Sequence, residues 1–225
     1  MPVTIVGNNT PTAGGVVYGD GTNYASTSAG TSGQILQSNG ASAPSWVAAP
    51  SSAMTFITST TATGSPSTVD IENAMTGYQV YLLTGENITL SSGASIYMRM
   101  KLGGSYSTTN YYYHISNNDS STTTYQANAA TGATFIDVIS SIQGAASDSI
   151  GIAVWIFNPS STATAKSVIV SAFSGRPTPV TKIIHSNYGA AGNTSTSALT
   201  GIRFLQSGAA TFSSGTFRLY GIANS

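Results

Sequence analysis

Asp70 and Glu72 stand two residues apart in "TVDIE", so on a strand both project from one face. Paired carboxylates flanking a glycosidic bond can act as acid and base. The same pair could contribute to a Ca²⁺ site, but such a site needs more oxygen ligands than two side chains supply. Val69 and Ile71 take the opposite face, so the plainer reading of the pair is a solvated outer face. His114 and His185 lie far apart, with no His-x-His, no His-Glu-x-x-His and no carboxylate cluster beside them. Structural zinc needs four ligands, and no such set is visible. No Gly-x-Ser-x-Gly elbow occurs. "SGQILQSNGAS" is not followed by a helical pattern and is no phosphate loop. The expectation is a non-enzymatic chain with no cofactor and no metal.

The residues with the strongest capacity for recognition are aromatic. In "YYYH", alternation places Tyr111 and Tyr113 on one side of a strand and Tyr112 and His114 on the other. Tyr125 and Trp155 are candidates to lie near them. Tyrosine combines apolar area with a hydroxyl, which suits a subunit contact or the face of a sugar ring. Tyr111, Tyr112, Tyr113, His114 and Tyr125 are therefore the candidate contact residues, for a second subunit or a glycan. The competing reading makes half of the cluster core and half an exposed sheet face.

These side chains sit in a β pattern that starts near Met54. "SIYMRMKL" sends Ile96, Met98, Met100 and Leu102 one way and Ser95, Tyr97, Arg99 and Lys101 the other, the period-2 signature of a half-buried strand. Similar runs recur from "TFITS" to "GTFRLYGI". Turn-forming clusters separate them, among them "TGEN", "LSSGA" and "NYGAAGNT". No 3.6-residue period appears. The fold class expected is all-β, with residues 52–225 forming an antiparallel, jelly-roll-like β-sandwich head.

Residues 1–51 differ. Their one charged residue is Asp20, and Gly, Ser, Thr and Asn dominate. Apolar residues come as islands, Val3 and Ile5, Val16–Tyr18 with Val17 between, Ile35 and Leu36, and Trp46. Each island is too small for a core of its own. A pure Gly/Ser linker would lack them. The segment reads as an extended N-terminal arm, either flexible or docking its islands on partner chains for attachment and oligomerisation.

Composition narrows the partners. Charged residues make up 6% of the 225, the formal net charge is zero, and 40% of residues are apolar. Nucleic-acid affinity rests on clustered Lys and Arg, so no nucleic-acid partner is expected. The longest apolar run, Ile150–Phe157, falls short of the ~20 residues a spanning helix needs, so no membrane insertion is expected. The start "MPVTIVGNNT" lacks the basic and apolar regions of a secretory signal. With no cysteine, disulfides and thiolate metal sites are excluded.

"GTSGQILQSNGASAPSW" resembles a Gly-rich segment of fibre and other virion proteins of tailed bacteriophages, and "SSGTFRLYGIANS" resembles the last strand of a β-sandwich domain at the ends of such proteins. "IFNPSSTATAKSV" and the stretch from "TFITSTTATG" to "NYYYH" follow the same order of features. The resemblance implies a virion structural protein made in the host cytoplasm and carried on the particle exterior, on tail, collar or baseplate. It implies a homotrimer whose arm attaches to other phage virion proteins and whose sandwich faces outward, with a host cell-surface glycan as a further partner. The chain lacks the long shaft and the coiled-coil heptads of an adsorption fibre, so a short fibre or spike fits better. Three alternatives stay open: a capsid decoration or cement protein without host contact, a carbohydrate-binding module, and a glycan-cleaving spike resting on Asp70 and Glu72.

Overall fold

A computed structural model of the chain describes residues 12–50, 53–119, 126–142, 149–177 and 182–223. It separates into two compact units, Met1–Ser52 and Ala53–Ser225.

In the first unit the described residues form two hairpins. β1 (Val17–Gly19) pairs with β2 (Tyr24–Ser26), and β3 (Gln34–Asn39) pairs with β4 (Ser42–Ala48). The first turn is fixed by Asp20, whose Oδ1 accepts the amides of Thr22 at 2.8 Å and Asn23 at 2.6 Å. Those donors hold the exposed carboxyl below its usual pKa. Trp46 of β4 joins the hairpins. Its Nε1 donates to the Ser28 carbonyl at 2.9 Å and its ring lies against Gly30. The arm expected to be extended thus forms two hairpins within its described residues. Val17, Ile35 and Leu36 remain exposed, and Val16 and Tyr18 are half-buried. Val3 and Ile5 lie outside the described residues.

The second unit is all-β, and its described residues contain no helix. Its strands are β5 (Met54–Thr61), β6 (Thr68–Glu72), β7 (Val80–Leu90), β8 (Ala94–Leu102), β9 (Ser105–Tyr106), β10 (Tyr111–Asp119) and β11 (Gln126–Ala133). They continue with β12 (Ile136–Ile142), β13 (Ser149–Phe157), β14 (Lys166–Pro177), β15 (Lys182–Asn193), β16 (Leu199–Gln206) and β17 (Phe212–Ile222). The larger sheet has eight strands in the order β11-β10-β15-β14-β13-β7-β17-β5. The smaller has five, β12-β8-β16-β6 with β9 beside β8. Every pairing is antiparallel.

Alternation drives this arrangement. In β8, Ile96, Met98 and Met100 are fully buried, while Tyr97, Arg99 and Lys101 point outward, as the sequence pattern predicts. The inward side chains of both sheets merge into one apolar cluster. At its centre Phe204 of β16 stacks on Phe217 of β17, with ring centroids 4.9 Å apart, and Phe212 meets Phe217 edge-on at 6.1 Å.

Two stretches read as turns are strands. "TGEN" lies inside β7, which continues through an irregular register near Ile88 to Leu90. "NYGAAGNT" forms the end of β15 as far as Asn193. Its glycines permit close strand approach: a Cβ at Gly189 would stand 2.1 Å from the His114 carbonyl oxygen of β10. Pairing with β10 on one side and β14 on the other satisfies its backbone, which outweighs the turn propensity of the residues.

Candidate functional surfaces

The two sheets turn outer faces of opposite character to the outside. On the larger sheet the register aligns one row across seven strands: His114, Ala190, Ile169, Trp155, Leu82, Tyr220 and Phe56. The next row carries Tyr112, Phe157, Val80, Ile222 and Met54. Large apolar side chains stand open here, with Phe56 at 54%, Phe173 at 58% and Tyr188 at 62% exposure. Phe56 and Tyr220 meet edge-on at 5.8 Å. Among the described side chains, the charges on this face are Glu86 and Arg218, and these pair with each other.

Within this face an open groove of about 420 Å³ is lined by Tyr112, His114, Thr131, Phe157, Ile169 and Ala190, among others. Missing side chains shape its floor. Tyr112 lies across Gly192, where a Cβ would come within 2.5 Å of its hydroxyl, and that hydroxyl donates to the Lys166 carbonyl at 3.4 Å.

The tyrosine cluster divides as alternation requires. Tyr112 and His114 face outward, whereas Tyr111 is fully buried and Tyr113 packs against the core. The Tyr111 hydroxyl accepts the Met100 amide at 2.7 Å and donates to the Ser107 carbonyl at 3.2 Å, and burial raises its pKa. Tyr111 therefore ties β10 to β8 and offers no surface to a glycan or subunit, which corrects its candidacy. Tyr125 lies outside the described residues. Trp155 shares a row with His114, separated from it by Ala190 and Ile169.

The smaller sheet's outer face is ionic. Arg203 makes a two-pronged contact with Asp70, Nε to Oδ1 at 2.8 Å and Nη2 to Oδ2 at 2.6 Å, and its guanidinium carbon lies 4.0 Å from the Tyr106 ring centre. Glu72 and Lys101 both pair with Gly201, so their ion pair of 3.0 Å crosses a position with no side chain. Tyr106 donates to the same Glu72 oxygen at 3.0 Å. Lys101 first, then Tyr106, hold the Glu72 carboxyl below its usual pKa. Burial, with the neighbouring Asp70 and Glu72 charges, pushes the Tyr106 hydroxyl well above its own. An acid catalyst on a glycosidic bond must keep its proton. Lys101 and Tyr106 favour the ionised form of Glu72, and both oxygens of Asp70 are taken up by Arg203, so each carboxylate already has a cationic partner.

Two buried ionisable groups were not foreseen. Asp137 of β12 is 7% exposed, and its Oδ2 accepts from Asn128 Nδ2 at 2.5 Å and Ser140 Oγ at 2.6 Å, while Oδ1 has no partner among the described residues. Burial raises its pKa despite those bonds. Lys166 is 1% exposed and donates to the carbonyls of Ser161 at 2.5 Å and Thr164 at 3.0 Å, closing the turn between β13 and β14. Among the described residues no group of three His, Asp or Glu side chains could hold a metal ion. No helix of the described chain is long and apolar enough to cross a membrane. Comparison with protein-family models, curated proteins and solved structures finds no match.

Proposed function

We propose that the chain is a non-enzymatic structural protein of a tailed-phage virion, a short homotrimeric fibre or spike. Its first unit attaches to other virion proteins and its second is displayed on the particle exterior. The observation that carries this reading is the strand order. Setting aside β9 and the hairpins β10–β11 and β14–β15, the remaining strands lie as β13-β7-β17-β5 opposite β12-β8-β16-β6. This is the order that two interlocked Greek keys generate, the jelly roll used by viral capsid and lectin domains. The aromatic outer face adds to it, because a nearly uncharged exposed face suits burial between copies. Binding is then non-covalent and multiplied by avidity across copies. The test is assembly of particles from a chain lacking residues 1–51. Loss of incorporation, with residues 52–225 recovered in soluble form, is expected; normal incorporation overturns the attachment role.

A host-surface glycan contact is the second reading, favoured by the groove at Tyr112, His114 and Phe157. Saturable binding of purified protein to host cells, competed by free saccharide, is its expected outcome. Particle incorporation without any host-cell binding favours a decoration or cement role.

A further inference from the structure

We infer that the outer face of the larger sheet is the surface on which copies of this chain pack against one another, with the Tyr112–Phe157 groove as a socket for the neighbouring copy. The inference rests on the oligomeric reading above and names its interface. Three observations carry it.

The first is contrast. Of the two outer faces, the smaller sheet carries Arg99, Lys101, Arg203, Asp70 and Glu72, and the larger carries aromatic and aliphatic rows. Taking the ionic face out of water would require desolvating several charges, whereas the aromatic face gains by burial.

The second is neutrality. A contact between identical chains places like groups near like groups. A face whose described charges, Glu86 and Arg218, already compensate each other meets its own copy without repulsion. Phe173, Tyr188 and Trp155 supply the large rings that anchor such contacts.

The third is size. Eight strands at ~4.8 Å spacing, each at least eight residues long at roughly 3.4 Å per residue, make a face of roughly 1,000 Å², more than the ~800 Å² each partner buries in a stable interface, and the two adjacent aromatic rows with Tyr188 beside them form its apolar belt. The hairpins β10–β11 and β14–β15 contribute half of the eight strands, so they double the width of this face while their inward side chains extend the core.

The experiment uses the full chain. Its mass is measured by light scattering over a concentration series, together with the single variants Tyr188→Glu and Phe56→Lys and the variant Thr134→Lys, which lies off the belt. Circular dichroism checks that each is folded. An oligomer for the parent and for Thr134→Lys, with association weakened about 30-fold or more in the belt variants, is the expected result. Belt variants that keep the parent's mass overturn the interface while leaving the oligomeric reading standing. A monomeric parent overturns both. Because the chain has no cysteine, Ser171→Cys and Thr134→Cys each give a single thiol for maleimide labelling without disturbing a large side chain. Ser171→Cys is expected to be protected at high concentration and to gain reactivity on dilution, while Thr134→Cys reacts freely throughout. Protection of Ser171→Cys that does not change on dilution would mean that the chain covers its own face, and would overturn the inference.

Discussion

At the scale of single residues, the buried polar groups make the sharpest predictions. Native Asp137 binds its proton more tightly than an unfolded aspartate, because burial raises its pKa. The native state then binds more protons between the two pKa values, so stability falls as pH rises through that window. Asp137→Asn removes the penalty while an amide oxygen can still accept from Asn128 and Ser140. A higher melting temperature than the parent at pH 7 is expected, with the gain vanishing below the ordinary carboxylate range; thermal scans from pH 3 to 8 check it. Tyr111→Phe deletes the acceptor of the buried Met100 amide, and a loss of about 1–3 kcal/mol in denaturant titration is expected. The Tyr111 position was legible in part. Alternation separates Tyr111 and Tyr113 from Tyr112 and His114, but which side is inward depends on what lies across the sheet, here β8 and β12. Asp137 was not legible, because a single aspartate in "TFIDVIS" gives no sign that its partner is Asn128 of the neighbouring β11.

At the scale of elements, Phe204→Ala opens a cavity where the two sheets meet and is expected to cost about 3–5 kcal/mol, read by denaturant unfolding of the chain. Trp46→Ala removes the tie between the first unit's hairpins. Hydrogen exchange near Thr27 and Ser28 is expected to rise about tenfold if the tie contributes ~1.4 kcal/mol, with exchange in β7 and β8 unchanged. Strands such as β8 and β13 could be read from sequence because their cores are Ile, Met and Val at every second position. β11, "QANAATGA", could not, since its small residues carry little strand propensity and its pairing with β10 supplies the order. The hairpin β3–β4 escaped for the related reason that its side chains stay mostly exposed and so show no buried period.

At the scale of the whole molecule, the distribution of few charges matters more than their number. A chain with 6% charged residues cannot rely on ions for its entire surface, and those of the smaller sheet are gathered on one face. Raising the ionic strength is therefore expected to leave association on the aromatic face intact or strengthened, because apolar burial is not screened. Light scattering in about 0.1 M and about 1 M salt, between which the Debye length falls from about 10 Å to about 3 Å, checks it. Dissociation at high salt would point instead to the ionic face. Composition made the low charge plain, while the gathering of Asp70, Glu72, Arg99, Lys101 and Arg203 on one outer face follows from topology and was beyond the reach of the sequence.

The Ala223 amide donates to the Ala53 carbonyl at 3.0 Å, and Met54 pairs with Ile222, so the second unit's chain enters and leaves at one pole. This has a mechanical meaning. A pull applied between those two ends opens β5 from β17 like a zipper, one pair of hydrogen bonds at a time, and meets little resistance. A pull between the entry point and a contact on the sheet face or at the far pole drags strands lengthwise, and their hydrogen bonds must break together. A second unit held at residue 53 and loaded from its far pole thus works in the stronger direction, and a payload fused after residue 223 would emerge beside residue 53, leaving the opposite pole clear.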